Sequence, residues 1–225
     1  MINIAIDGPS GAGKSTVAKA IARKIGFIYV DTGALYRAVG INALRLGYDT
    51  SDREKVVSTL DSVKIDLRYI NGEQRVLLNG EDVSDAIRLP EASMAASNVS
   101  AIPEVRAFLF DLQRQLAAQN NCIMDGRDIG TVVLPNADIK LFLTASPEER
   151  AARRHRELIE RGTPVDYDVL LEEIKQRDYN DSHRAIAPLK PADDAIIVDT
   201  SGNTLQESVD NVLEIIKSKI DIPNV

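Results

Sequence analysis

Short apolar runs alternate with amphipathic stretches along most of this chain. Brief apolar runs are typical of buried strands, and apolar residues spaced by three or four positions are typical of helices. The apolar runs predict strands at Ile2–Asp7, Phe27–Val30, Asn120–Asp125, Asp138–Ala145 and Ala195–Asp199. The amphipathic stretches predict helices at Ser15–Ile25, Gly33–Leu46 and Asp52–Val63, and others that begin at Pro147, Tyr167 and Thr204. This alternation predicts an α/β fold in three layers, with helices on both faces of a central parallel sheet.

One stretch breaks the alternation. Lys64–Ile70 and Gln74–Leu78 alternate apolar and polar residues on either side of Asn71–Gly72, a sequence typical of a hairpin turn. A second Asn-Gly pair, Asn79–Gly80, precedes another short strand-like piece. We therefore predict a small antiparallel insert that also contains some helix and packs against the main sheet.

No repeat, low-complexity tract or proline- and serine-rich linker interrupts the chain. Its 225 residues are enough to bury one sizeable core. We therefore predict a single folded unit, with its core at residues 1–62 and 101–225, the insert at about 63–100 and a helical lid at about 147–166.

The sequence GPSGAGKST lies between the first predicted strand and the first predicted helix. Gly8, Gly13, Lys14 and Ser15 have the spacing G-x-x-x-x-G-K-[ST] of a phosphate-binding loop, or P-loop. Glycines let backbone N–H groups point at a phosphate, and the helix adds the positive end of its dipole. A glycine-rich turn that merely joins strand to helix is the alternative, but the length and context of the motif favour nucleoside-triphosphate binding. Lys14 is expected to reach the outer phosphates and the Ser15 hydroxyl to ligate Mg²⁺.

Composition narrows the class of protein. The net charge of −7 and a pI near 5.0 argue against a general polyanion-binding surface, so nucleic acid is not an expected partner. Cys122 is the single cysteine and is expected to be a small buried hydrophobe, which fits a reducing compartment. We find neither a signal peptide nor an apolar run long enough to span a bilayer, and no long apolar face. We therefore expect a cytoplasmic monomer that has no membrane partner.

Two polar segments follow predicted strands. In DTGALYR, Asp31 or Thr32 can cap the next helix, and Arg37 is either solvated or bound to a phosphate; the segment alone leaves both open. In DGRDIGT, Asp125 is a candidate Mg²⁺ carboxylate, and Arg127 with Asp128 would face an acceptor. A polar turn with an internal Arg–Asp pair is the alternative interpretation.

Two helical segments carry further arginines. Arg177, Asp181 and Arg184 fall on one predicted helix face, which suits either a surface ladder of ion pairs or a clamp on phosphate and ribose. The segment from Pro147 to Arg156 is predicted to be either a solvated charged helix or a lid that closes arginines over a phosphoryl group.

Taken together, these motifs resemble those of the bacterial cytidylate kinase family. The matching pieces are GPSGAGKST at 8–16, DTGALYR at 31–37, DGRDIGT at 125–131, SPEERAARR at 146–154 and RDYNDSHRAIAPL at 177–189. They span most of the chain in the family's order, and the insert lies where that family carries an extra β-containing segment.

The resemblance implies transfer of a phosphoryl group from ATP to CMP or dCMP, with Mg²⁺. ATP would bind at Gly8, Pro9, Ser10, Gly11, Ala12, Gly13, Lys14, Ser15 and Thr16. The cytosine would contact Thr32, Ser97, Arg106 and Asp128, and the acceptor phosphate would contact Arg37, Arg127 and Arg184. Arg177 and Asp181 would bind the sugar, Tyr36 belongs to the same acceptor site, and Arg153 and Arg154 would act from the lid. The implied catalytic set is Lys14, Asp125, Arg127, Arg153, Arg154 and Arg184, and the implied metal ligands are Ser15 and Asp125.

Two other kinds of function compete with this one. A kinase acting on UMP or shikimate is the nearest rival, although shikimate would not require a second arginine-rich phosphate site. A nucleotide-dependent switch or regulatory binding module is another, but we find no N-K-x-D segment of the kind that reads guanine.

Overall fold

The computed structural model describes residues 1–70, 73–160 and 162–221. In the first half of the chain the elements are β1 (Asn3–Asp7), α1 (Lys14–Ile25), β2 (Ile28–Asp31), α2 (Thr32–Arg45), α3 (Arg53–Thr59), β3 (Ile65–Ile70), β4 (Glu73–Leu78), β5 (Glu81–Asp82) and α4 (Pro90–Ser100). In the second half they are α5 (Pro103–Gln119), β6 (Cys122–Asp125), β7 (Ile139–Thr144), α6 (Pro147–Glu160), α7 (Tyr167–His183), β8 (Ile196–Asp199) and α8 (Leu205–Lys219). Short 3₁₀ helices lie at Leu60–Ser62 and Ala86–Arg88, and a π-helical turn lies at Ile129–Val133. The predicted elements are present with their ends displaced by a few residues, and α5 is an additional helix.

Five strands form a parallel sheet in the order β2–β6–β1–β7–β8. β1 lies at its centre, where Ile4 is opposite Ile123 of β6 and Ile139 of β7. The carboxyl ends of parallel strands meet at one edge, which is where open sheets of this type bind ligands. Here β1, β2 and β6 end in carboxylates, at Asp7, Asp31 and Asp125.

Apolar clusters cover both faces of this sheet. On one face, α1 and α8 pack against the strands in a cluster that includes Ile4, Ile6, Leu141, Leu143, Val17, Ile21 and Val212. On the other face, α5 and the π-helical turn pack in a cluster that includes Ala5, Val30, Met124, Ala117, Ile129 and Val133. The predicted three-layer α/β fold is confirmed.

The region between α3 and α5 contains the predicted antiparallel insert. β3, β4 and β5 pair as a three-stranded sheet, with Ile65 opposite Leu78. Asn79 and Gly80 both have positive φ, 52° and 86°, as a two-residue hairpin turn requires. The other predicted turn, at Asn71–Gly72, lies outside the described residues.

The apolar face of the insert packs mainly on helices, and the expected contact with the main sheet is made by Leu67 of β3, which packs with the cluster that contains Val30 and Met124. The buried residues of the insert share a cluster with α2 and α5 that includes Val76, Leu78, Ala92, Ala96, Leu35, Val39 and Leu109. The close approach of α4 to α2 depends on Gly40, where a Cβ would lie 2.7 Å from the Cβ of Ala95. The insert also bonds to the backbone of the edge strand β2, where the Tyr69 hydroxyl donates to the carbonyl oxygen of Tyr29 at 3.1 Å and the Gln74 amide bonds to Asp31.

α6 and α7 form a helical pair with a small apolar cluster of their own, made by Ala151, Leu170 and Ile174. The predicted lid, at about 147–166, contains α6 and ends just before α7. Cys122 is buried, as predicted, and burial raises the pKa of its thiol to about 12. None of the described helices combines the length and the apolar character needed to cross a bilayer.

Candidate active site

The loop between β1 and α1 adopts a backbone conformation that its glycines permit. Gly8 has a φ of +141°, and a Cβ there would lie 1.9 Å from the carbonyl oxygen of Leu143 on β7. A side chain at this position is therefore excluded. Gly13 precedes α1, and no side chain among the described residues caps the amides of its first turn. The helix therefore presents free N–H groups and its positive end, an arrangement that binds phosphate.

Lys14 is buried at the start of α1, where its Nζ donates to the carbonyl oxygen of Pro9 at 2.7 Å. Burial, together with the charges of Arg127 and Arg177, lowers its pKa from 10.5 to about 7, and Asp125 only partly opposes this. Burial is the main reason that the charged form of this lysine is disfavoured, and the two arginines add positive charge around it. The site is therefore electrostatically prepared for an anion.

Ser15 and Asp125, the two predicted metal ligands, are adjacent. The Ser15 hydroxyl donates to Oδ2 of Asp125 at 2.7 Å, and the Tyr29 hydroxyl donates to its Oδ1 at 3.0 Å. Burial and the nearby carboxylate of Asp31 raise the pKa of Asp125 to about 6. No group of three or more His, Cys, Asp or Glu side chains in the described part of the chain forms a metal cage. A hydroxyl and a carboxylate suit a Mg²⁺ ion that takes its remaining ligands from phosphate and water.

Asp7 anchors the segment that follows β6. Its carboxylate is buried and accepts from the backbone N–H groups of Ile129 at 2.8 Å and Gly130 at 2.7 Å. Burial raises the pKa of Asp7 to about 6, although these two hydrogen bonds act in the opposite direction. Asp7 thus joins the end of β1 to the π-helical turn and sets the position of Arg127 and Asp128 just before it.

The pKa of Asp7 gives a prediction for stability. Because its native pKa of about 6 exceeds the ordinary value of 3.8, the native state binds more protons than the unfolded state between about pH 4 and pH 6. Asp7 therefore contributes stability at low pH that is lost as the pH rises through about 6. In Asp7→Asn, the free energy of unfolding measured with urea should fall less steeply with pH in this window. The difference between the two slopes should correspond to at most about one bound proton. Asp111→Asn, an exposed change on α5, is the control; parallel curves for Asp7→Asn and the wild-type protein would contradict the assignment.

The Asp31 side chain caps α2, as one of the two predicted alternatives, by accepting from the N–H of Ala34 at 2.9 Å. Its other oxygen accepts from Arg37 at 2.8 Å, so Arg37 is paired and half-buried. The amide of Gln74 on β4 bonds to the backbone N–H of Asp31 at 2.9 Å and to its carbonyl at 3.4 Å. The insert thus supports the segment that orients Arg37.

Gly126 and Thr32 bring β6 and α2 into direct contact. The Thr32 hydroxyl is buried and donates to the carbonyl oxygen of Asp125 at 2.8 Å. A Cβ at Gly126 would lie 2.7 Å from that hydroxyl oxygen and 2.7 Å from Cδ1 of Ile129. This glycine is required because the chain passes close to the neighbouring helix, which the motif alone does not show.

Asp128 lies between two arginines from distant parts of the chain. Its Oδ2 accepts from Arg106 on α5, and its Oδ1 accepts from Arg184 at 3.2 Å. All three side chains are buried, with exposed fractions of 7–9%. Arg106 also lies 5.9 Å from the ring centroid of Tyr36. These contacts differ from the simple polar turn weighed above, in which an Arg–Asp pair would form within DGRDIGT.

Ser97 and Ser100 lie on α4 beside this group. Ser100 accepts from Arg184 at its hydroxyl and from Arg106 at its carbonyl, both at 3.5 Å. Ser97 lies one turn earlier, and its carbonyl accepts from the Ser100 hydroxyl at 2.9 Å. The insert therefore contributes directly to this wall of the cleft.

Arg127 and Asp181 pair across the cleft, with Nε donating to Oδ2 at 2.9 Å. Although burial alone would raise it, the pKa of Asp181 is lowered because Arg127 and Arg177 lie nearby. Burial, with Arg127 and Arg37, lowers the pKa of Arg177 to about 10. The helix ends at His183, so the prediction that Arg184 lies on its face is wrong. Arg184 instead follows the helix in extended conformation, with φ of −62° and ψ of 142°.

The two predicted lid arginines lie on α6 and differ in their surroundings. Arg153 donates to Thr200, at 3.2 Å to the hydroxyl and 2.5 Å to the carbonyl. The Thr200 hydroxyl in turn contacts the carbonyl of Ala12 in the P-loop at 3.2 Å. Arg154 donates to Glu157 on its own helix at 2.8 Å. The structure thus brings Arg153, rather than Arg154, to the P-loop.

Four residues of the site were not predicted: Asp7, Tyr29, Ser100 and Thr200. The sequence offered a usable signal for two of them. Asp7 closes a buried strand with a charge, and Thr200 follows directly on β8, so both lie at the ligand-binding edge. Tyr29 and Ser100 carry no such signal, because their partners lie far away along the chain.

Fold and site together define this protein as a P-loop kinase. The profile of the cytidylate kinase family matches residues 4–218, nearly the whole chain. The chain therefore belongs to the cytidylate kinase family.

Individual relatives support the same assignment. The cytidylate kinase of Caldicellulosiruptor saccharolyticus is 54% identical over 214 residues, which cover 95% of each chain. The cytidylate kinase of Carboxydothermus hydrogenoformans is 49% identical over 223 residues, covering 98% of this chain and 100% of the relative. Among solved structures, an uncharacterised protein from Eubacterium ventriosum superimposes with a TM-score of 0.54 at 14% identity, covering 97% of this chain and 99% of that one. That last likeness concerns the fold alone.

Proposed function

We propose that this protein transfers the terminal phosphoryl group of ATP to CMP or dCMP, producing ADP and CDP or dCDP. One observation carries the proposal: Lys14, Arg37, Arg127 and Arg177 lie close enough for their charges to interact. Besides burial, the charges of Arg127 and Arg177 lower the pKa of Lys14, and those of Arg127 and Arg37 lower the pKa of Arg177. The buried Nε atoms of Arg37 and Arg177 have no hydrogen-bond partner among the described residues. So many cations in one cleft fit two phosphorylated substrates better than one.

The P-loop residues Gly8 to Thr16 are proposed to bind ATP, with Lys14 against the transferred phosphoryl group. Ser15 and Asp125 would hold Mg²⁺, which would neutralise charge on the phosphates when bound. Arg153 and Arg154 would act from α6 in the lid. We assign the reaction to this cleft because it offers backbone amides, a lysine and arginines together.

The acceptor is proposed to lie between α2, α4, α7 and the end of β6. Arg37, Arg127 and Arg184 would bind its phosphate, and Arg177 with Asp181 its sugar. The cytosine would contact Thr32, Ser97, Arg106 and Asp128, close to Tyr36. Each carboxylate oxygen of Asp128 accepts one hydrogen bond from an arginine. Each oxygen therefore keeps a lone pair that can accept from the exocyclic amine of cytosine.

Little covalent chemistry is required of the protein. A phosphate oxygen of CMP is already an anionic nucleophile, so no general base is needed. The arginines and Lys14 would align the two phosphates and stabilise the charge that develops between them, while the lid excludes water. Uracil presents an oxygen where cytosine presents its amine, and that oxygen would be repelled by the Asp128 carboxylate.

Arg184→Ala should raise the KM for CMP about tenfold and lower kcat, because it removes a cation from the acceptor phosphate and leaves Asp128 with Arg106 alone. Charge-assisted hydrogen bonds contribute about 1.5–3 kcal/mol each, which corresponds to ten- to hundredfold in kcat/KM. The KM for ATP should change less than about threefold. Lys190→Ala, an exposed change in the following loop, is the matched control. A normal KM for CMP in Arg184→Ala would remove Arg184 from the phosphate site.

The function itself is tested by ADP formation from ATP and Mg²⁺ with CMP, dCMP, UMP, AMP, GMP and shikimate as separate acceptors. Turnover with CMP and dCMP, weak turnover with UMP and none with the others is the expected result. Turnover confined to shikimate or UMP would establish a rival kinase. ATP binding without acceptor-dependent turnover would favour a nucleotide switch.

The organisation around the cleft completes the proposal. We infer that the chain acts as one P-loop kinase unit, with the insert at about 63–100 on the acceptor side and the lid at about 147–166 closing over the donor. We further infer a cytoplasmic monomer that acts on free nucleotides, with neither a nucleic-acid polymer nor a membrane as partner. The acidic net charge of −7 supports this, since the cations are concentrated in the cleft.

A further inference from the structure

Arg150 is a buried arginine on the lid helix α6, and its side chain is only 3% exposed. Its Nε donates to the carbonyl oxygen of Ala145 at 2.9 Å. Its Nη1 donates to the carbonyl oxygen of Ser10 at 3.1 Å and to Oδ1 of Asp178 at 3.0 Å. Its Nη2 donates to Oδ2 of Asp178 at 2.5 Å. One guanidinium therefore joins α6, α7 and the P-loop.

This environment differs from that of Arg154 and Arg156 on the same helix. Arg154 and Arg156 bond to groups of α6 itself, at Glu157 and at the carbonyl of Ala152. Burying an ion pair costs desolvation free energy, and an apolar pair of similar size is often as stable. Stability alone is therefore a weak reason for an arginine at this position. A role in orienting the groups it contacts is the stronger one.

Ser10 is the point where Arg150 meets the acceptor side. Its carbonyl accepts from Arg150, and its hydroxyl accepts from Arg177 at 3.1 Å. Arg177 in turn precedes Asp178 on α7, and Asp178 pairs with Arg150. Arg150, Ser10, Arg177 and Asp178 thus form a closed circuit between the P-loop and α7, in which the peptide bond between Arg177 and Asp178 is one link and the carbonyl of Ser10 is another. The packing is also close, since a Cβ at Gly11 would lie 3.1 Å from the Cβ of Arg150.

We propose that Arg150, through Asp178, is a positioning residue that couples the P-loop to α7 and so aligns the donor and acceptor phosphates. The inference rests on the proposed function, because Arg177 and Asp181 of α7 face the acceptor there. Arg150 touches neither substrate in this scheme. When its fork is lost, Ser10 and Arg177 move relative to each other, and both nucleotides are bound in poorer register.

Arg150→Lys is the sharpest test, because it keeps the charge opposite Asp178 but removes the fork that also reaches Ser10. We expect the KM values for ATP and for CMP to rise together, each about fivefold or more, and kcat to fall about ten- to hundredfold, as misplaced supporting groups generally cause. Arg156→Lys, the same change at an exposed position of α6, should leave all three constants unchanged.

The KM values separate positioning from plain destabilisation. A variant that merely unfolds in part loses active enzyme, which lowers kcat and leaves both KM values unchanged; that result would overturn the proposal. Asp178→Asn provides a second variant, and in the double variant the effects should be no larger than in either single one, because both break the same link. Additive effects would overturn the coupling. Failure of both variants to fold at 25 °C would also overturn it, because the Arg150–Asp178 ion pair would then be required for folding.

The activity of the wild-type protein shows whether a negative result contradicts the proposed function or only the positioning role of Arg150. If wild-type protein does not phosphorylate CMP, the proposed function fails. If it does so and Arg150→Lys has wild-type KM values for both nucleotides, the positioning role of Arg150 fails while the function stands.

Discussion

Lys14→Met should abolish phosphoryl transfer to CMP, with kcat reduced at least about a thousandfold. The reason is electrostatic: Lys14 is the buried cation at the start of α1, and its charge would lie against the phosphoryl group in transit. Cations placed on this group contribute about 10³ to 10⁵ in rate in phosphoryl-transfer enzymes. The effect is expected mainly in kcat, because the charge on the migrating group is stabilised most in the transition state.

The same change should not destabilise the protein. Burial lowers the pKa of Lys14 to about 7, which means that its charged form is disfavoured in the native site. Methionine has a similar length and carries no charge, so it removes that cost, although the hydrogen bond to Pro9 is lost. We therefore expect a midpoint of urea unfolding equal to or above that of the wild-type protein.

The measurement is kcat at saturating ATP and CMP, together with urea unfolding of the same samples. Lys24→Met, an exposed lysine on the same helix, is the matched control and should retain wild-type kcat. If Lys14→Met retained more than about a tenth of wild-type kcat, Lys14 would have no part in the transfer step. A fall in stability parallel to the fall in activity would instead make its role structural.

Asp128→Asn should have the second-largest effect on activity, and this effect should appear in the kinetic constants for CMP. Asp128 is the carboxylate between Arg106 and Arg184, all of them buried. Removing one partner of a buried ion pair costs about 3–5 kcal/mol, because the remaining charges stay out of water. That cost falls on the stability of the folded protein. The loss in kcat/KM for CMP comes from the charge-assisted hydrogen bond to the cytosine amine, about 1.5–3 kcal/mol, which corresponds to about ten- to hundredfold.

The base preference should change as well. An asparagine amide presents donors where the carboxylate offered only acceptors, so the repulsion of uracil is relaxed. We expect the ratio of kcat/KM for CMP to that for UMP to fall, while the KM for ATP changes less than about threefold. Asp111→Asn on α5 is the control. An unchanged CMP-to-UMP ratio would show that Asp128 does not read the base.

Much of this fold was predictable because its signals are local. The strands of the main sheet are buried on both faces, so they appear as apolar runs that need no alternation. α5 was harder to predict because its buried face includes Arg106 and Gln113 beside Val105 and Leu109, which weakens the apolar periodicity. The burial of polar residues on that face is explained only by the tertiary structure, which brings β6 and α4 against it.

The site divides in the same way. The P-loop was predictable because its phosphate-binding groups are backbone amides, and nine consecutive residues determine where they point. The partners of the charged side chains were not predictable. From the sequence, Arg37 is either solvated or bound, and Arg150 lies in a segment predicted as either a solvated charged helix or a lid. Only the structure shows that Asp31 orients Arg37 and that Asp178 and Ser10 contact Arg150.

By itself, then, the sequence determined the class of fold, the triphosphate loop and the set of arginines that implies a phosphorylated acceptor. Only the tertiary structure decided that Asp128 lies between Arg106 and Arg184, that Asp7 anchors the segment after β6, and that Arg150 meets the P-loop. The physical reason is range. Backbone conformation and apolar period depend on neighbours along the chain, whereas an ion pair forms between groups that folding brings together from distant positions.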